Sequence, residues 1–152
     1  MSGHLENLAQ AMLEAAKKAG ADAADAIAIR GTSVSIDVRG GALEQAERSE
    51  GTDLGLRVFL GQRQANVSVS DTSAETIATM AERAVAMSKV APEDPHIGLA
   101  DPDQLATGWD LEALELYDPT PEPAAEALQQ DAVEAEAAAQ AVEGVTQVQA
   151  AN

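Results

Sequence analysis

The sequence contains no cysteine, which excludes a disulfide framework, a thiol nucleophile and any cysteine-based zinc site. Aromatic side chains are nearly absent: Phe59, Trp109 and Tyr117 are the whole set. Basic residues are missing from one end. Residues 1–90 hold nine Lys/Arg against twelve Asp/Glu, whereas residues 91–152 hold none against fourteen, so −14 of the net −17 sits in that second part. A nucleic-acid binder neutralises phosphates with a basic surface, and residues 91–152 offer none. No apolar run approaches the roughly 18–20 residues of a membrane span. The opening MSGHLENLAQ has no basic stretch leading into an apolar one, so no secretory signal is expected and a cytoplasmic location is the expectation.

What is abundant is alanine, 33 residues of 152, which leaves 36 larger apolar residues to build a core. One domain is expected at this length, burying about 68–70% of its unfolded surface. Leu5, Leu8, Met12 and Ala16 form one apolar stripe and predict a first helix, with Lys17 and Lys18 in its last turn and Gly20 as its stop. The period then changes to two. Alternation over 26–29, 33–39, 53–60 and 65–70, with a weaker run at Ala42–Glu50, predicts an antiparallel sheet of about five strands. Gly31-Thr32, Gly40-Gly41 and Gly61-Gln62 are read as its turns, and the charged Ala42–Glu50 run is expected near an edge.

Thr72-Ser73-Ala74-Glu75 has the pattern of a capping box, followed by a second helix with the stripe Ile77, Met80, Ala84 and Met87. Ala91–Pro123 carries all six prolines and reads as a long acidic loop, with a short helical turn at Leu111–Leu116 and with Trp109 and Tyr117 as anchors. A third helix is expected from about Ala124 to Val142, with a narrow stripe of Leu128, Ala132, Ala135, Ala139 and Val142. Val145–Gln149 alternates like a strand beginning just before Asn152, the pattern of a chain cut from a longer one. The expected organisation is thus 1–90 (helix, sheet, helix), 91–123 (loop) and 124–152 (helix and truncated strand), together one α+β domain with helices on one face of the sheet.

Chemistry-bearing constellations are few. His4 and His96 are far apart, and neither has a second ligand at i+4, so both read as surface histidines. Glu93-Asp94, Asp101-x-Asp103 and Asp110-x-Glu112 lack the fixed oxygen positions and central glycine of a calcium loop and read as turn starters and caps. There is no phosphate-binding glycine loop and no G-x-S-x-G elbow. Asn66-Val67-Ser68 matches a glycosylation acceptor that carries no weight without a secretory signal. Ser33, Ser35, Ser68 and Ser70 read as exposed strand residues. The small-residue third helix could admit a close partner, against the plainer reading of a helix packed on its own sheet. No catalytic, cofactor-binding or metal residue is assigned.

The stretch ERSEGTDLGLRVFLGQRQANVSVSD (47–71) resembles the TldD/PmbA family, whose pattern runs from an acidic strand through x-LG-[LI]-R-V to a small-residue strand ending S-[ST]-S-D. AERAVAMSK (81–89) matches the helix that follows in the family. PEDPHIGLAD (92–101) looks like the DPxxGLAD signature of the PmbA (TldE) branch, and LYDP (116–119) looks like that branch's DLxxP. The resemblance covers roughly residues 5–146. It implies the N-terminal domain of a longer chain, in a family that works as a two-subunit cytoplasmic zinc-dependent peptidase. The TldD-type subunit carries an HExxxH zinc helix, and the PmbA/TldE-type subunit is its non-catalytic partner. No HExxxH occurs here, which fits both a branch that lacks the motif and a chain that ends before it, so a fragment of the catalytic branch stays open as a third reading; no zinc ligand carries over, and zinc is expected only in the partner. The implied partners are a TldD-type subunit and small or unfolded polypeptide substrates, with a homo-oligomer as an alternative and with neither nucleic acid nor membrane. Edge strands are the natural places for an extended peptide to add. The competing reading is an acidic interaction module of the gyrase-modulator type, without a proteolytic role.

Overall fold

A computed structural model describes residues 2–108, 110 and 112–152. The order is α1 (Ser2–Ala19), β1 (Ala23–Arg39), β2 (Ala42–Leu60), β3 (Arg63–Val69), α2 (Ala74–Val90), a 3-10 turn at Pro102–Gln104, and α3 (Ala125–Gln140). The fold of the described residues is α+β, with a three-stranded antiparallel sheet ordered β1-β2-β3.

Three strands replace the expected five because two of the expected breaks are not breaks. β1 runs unbroken through Gly31-Thr32, and β2 joins the Ala42–Glu50 run to the 53–60 run through Gly51. Neither glycine has the positive φ that a tight hairpin turn requires, whereas Gly40 (φ 61°), Gly41 (φ 73°) and Gly61 (φ 54°) do, and the chain reverses there. The Ala42–Glu50 run consequently belongs to the middle strand of the sheet. Its charged character fits its position all the same, because β3 is paired only with Leu54–Leu60 and does not reach it.

The chain divides into two compact units. One comprises the residues up to Gly31 together with Gly51–Thr107, and the other Thr32–Glu50 together with Gly108–Asn152. In the first, the register Leu54↔Val69, Leu56↔Val67 and Val58↔Ala65 puts six apolar side chains on one face. Leu8, Met12 and Ala16 of α1 and Ile77, Met80, Ala81, Ala84 and Val85 of α2 complete that core. The helical stripes are buried as their spacing predicts, except that Leu5 is half-buried, Met87 is exposed and Val85 takes the inward position. Burial of each larger side chain contributes roughly 1.5–3 kcal/mol, and the alanines let the helices approach closely. Gly20, with φ 96°, ends α1.

The start of α2 differs from a capping box at Thr72. Ser73 is the N-cap, and its hydroxyl accepts the Thr76 N–H at 3.3 Å. The carboxylate that organises this end is Asp71, upstream of the helix. It accepts the Ser73 N–H at 2.8 Å and the Thr76 hydroxyl at 2.6 Å. These bonds hold the Asp71 carboxyl below its ordinary pKa, the Thr76 hydroxyl contributing most and the Ser73 backbone N–H next.

The second unit has a smaller core of Ile36, Val38 and Ala132, flanked by Leu128, Val133 and Ala151. The expected α3 stripe is realised in part: Ala132 is buried and Leu128 half-buried, but Ala135 and Val142 are exposed. Val145–Gln149 forms no strand. The pairing instead falls at Ala151, which exchanges both backbone hydrogen bonds with Val38 (2.9 and 3.0 Å). A one-turn segment occurs at 112–115, within the expected 111–116. Tyr117 is 83% exposed and anchors nothing, and Trp109 lies outside the described residues.

Candidate functional site

Two surfaces carry concentrated chemistry, one in each unit. The first is the face of the sheet opposite α1 and α2. Alternation places Asp25, Ile27 and Ile29 of β1, and Gly55, Arg57 and Phe59 of β2, on this face. The register sets Gly55 beside Ser68 and Arg57 beside Asn66. Asp25, Ile27, Gly55, Arg57, Asn66 and Ser68 line a shallow groove of about 460 Å³. Asp25 accepts both Nε (3.0 Å) and Nη2 of Arg57, a bidentate fork. The hydrogen bond to Asp25 raises the Arg57 pKa, against a smaller opposing effect of desolvation. The same guanidinium lies 5.0 Å from the centre of the Phe59 ring. Phe59 is itself buried, unlike Ile27 and Ile29 of the neighbouring strand. Ile27 and Ile29 remain 57% and 52% exposed, an apolar pair beside a fixed polar one. Gly55 permits this packing, because a Cβ there would stand 2.9 Å from Ile27 Cγ2.

The second surface lies in the other unit. Glu136, on α3, is only 2% exposed, and its two carboxylate oxygens accept the backbone N–H groups of Gly40 and Gly41 at 2.7 Å each. These turn N–H groups have no ladder partner, so the carboxylate satisfies them while they solvate its charge. Arg48 bonds Glu50 and Glu122, and Glu122 contributes most to raising the Arg48 pKa. Between β1 and α3 runs a slot of about 440 Å³ with an apolar floor of Val34, Ile36, Leu128, Ala132 and Ala135.

The histidines do not join either surface. His4 is exposed on α1, and His96 is exposed in the loop, its backbone N–H bonded to Asp94 at 2.9 Å. Ser33, Ser35, Ser68 and Ser70 are exposed, as their alternation predicts; Ser68 lines the first groove and Ser70 donates to Asp53 at 2.6 Å. Among the described residues no group of three or more His, Asp or Glu side chains is placed to hold a metal ion. Neither surface pairs a nucleophile with a base. Both are suited to contact with another polypeptide. Sequence reasoning missed Glu136, although it lies four residues beyond Ala132 and thus on the α3 stripe. The bare Gly40-Gly41 turn was the available signal for a buried acceptor.

Comparison with known proteins gives a consistent picture. Residues 24–88 match the family model described as PmbA/TldA metallopeptidase domain 1. The chain is 39% identical over 106 residues to the metalloprotease PmbA homolog of Haemophilus influenzae, covering 69% of this chain and 23% of that protein. It is 30% identical over 125 residues to the metalloprotease PmbA of Escherichia coli O157:H7, covering 82% of this chain and 27% of that one. The chain thus spans about a quarter of the length of these relatives. Two crystal structures share the fold. One, from Bacteroides thetaiotaomicron and described as a modulator of DNA gyrase, has a TM-score of 0.69 at 22% identity, over 91% of this chain and 31% of that one. The other, TldE from Thermococcus kodakarensis, has a TM-score of 0.63 at 16% identity, over 88% and 29%. No helix among the described residues is long and apolar enough to cross a membrane. The matched first domain, the two PmbA relatives and the shared fold together show that the chain belongs to the PmbA/TldE family and carries its N-terminal domain.

Proposed function

We propose that this domain belongs to the non-catalytic, TldE/PmbA-type subunit of a two-subunit cytoplasmic zinc-dependent peptidase. It contributes to assembly with a TldD-type subunit and to the access of small or unfolded polypeptides. Zinc belongs to the partner subunit in this reading, and no step is assigned to a residue of this chain. The observation that carries it is the open sheet face of the first unit. Ile27 and Ile29 stand exposed beside the fixed Arg57–Asp25 fork, an apolar patch with a polar registration point, as protein interfaces have. The experiment is deletion of the matching domain from a full-length PmbA relative. Assembly with the TldD-type subunit and cleavage of an unfolded peptide are both expected to fall sharply; their survival contradicts the reading.

A second reading rests on charge. The unit formed by Thr32–Glu50 and Gly108–Asn152 holds fourteen acidic residues against two arginines. Such a surface suits a basic protein partner without proteolysis, the gyrase-modulator type of role. An acidic contact weakens as salt screens it, and an apolar one does not.

A further inference from the structure

We draw no further inference here: the strongest candidate, the groove on the sheet face opposite α1 and α2 between Ile27, Gly55, Arg57 and Ser68, belongs to the surface already proposed as the subunit interface, and nothing in the structure shows what else covers it.

Discussion

The carboxylate of Glu136 accepts the backbone N–H of Gly40 at 2.7 Å across ninety-six residues of sequence, and its second oxygen takes the N–H of Gly41 in the same way. A buried charge is thereby matched to two donors that the hairpin itself leaves unpaired. Glu136→Ala strands both donors and is expected to destabilise the second unit by about 2–3 kcal/mol, since hydrogen bonds to charged groups contribute roughly 1.5–3 kcal/mol each and water recovers part of the loss. Glu136→Gln keeps one acceptor but turns an amide N–H₂ towards a donor, so about 1–2 kcal/mol is expected. Denaturant unfolding of the two variants checks the order.

Gly55 and Ile27 are coupled by contact. Gly55→Ala places a methyl carbon 2.9 Å from Ile27 Cγ2, and overpacking of this kind costs about 1–3 kcal/mol. Ile27 is exposed enough to yield, so the low end is expected. Ile27→Ala in the same chain removes the clash, and the double variant is expected to be more stable than the two single effects sum to. A double-mutant cycle by thermal unfolding measures the difference.

These two contacts mark what was legible in the sequence. Periodicity located both helices of the first unit and the inward residues of β2 and β3, because each is a local repeat of apolar side chains. It failed at Gly31 and Gly51, where glycine permits a turn without requiring one. A hairpin also needs positive φ, which β-branched Thr32 and Thr52 resist. The Gly40-Gly41 and Gly61-Gln62 reversals were read correctly for the converse reason. Glu136 was invisible because its partners lie on a distant turn, and an acidic residue in an alanine-rich helix ordinarily faces water. The motifs at 47–71 and 92–101 carried the family where composition could not.

Asp71 predicts a pH dependence at the start of α2. Its folded pKa is depressed, so its contribution to stability is present above the unfolded value of about 3.9 and is lost as pH falls through the folded value. Acidification through this window is expected to lower the protection of the Ser73 and Thr76 amides, taken relative to the unstructured exchange rate at each pH, before the helix centre responds. Asp71→Asn should show the lower protection already at neutral pH and little further change on acidification. Amide exchange followed by NMR distinguishes the two.

Arg57 and Asp25 are each about two-fifths exposed, so their pair contributes little to stability, roughly 0.2–1 kcal/mol. Arg57→Lys keeps the charge but loses the fork and the flat stacking over Phe59. A melting shift of only a few degrees is expected, with a larger loss in subunit binding if this face is the interface. Calorimetric titration of the TldD-type subunit against parent and variant measures it.

The central claim is that this domain joins a TldD-type subunit through the open, partly apolar sheet face. Its most direct test is the dissociation constant for that subunit across rising salt, for the parent chain and for Ile27→Asp/Ile29→Asp together. The account predicts an affinity that changes little with salt and falls at least tenfold in the double variant. An affinity that collapses as salt rises, and that ignores the double variant, contradicts it in favour of the acidic surface.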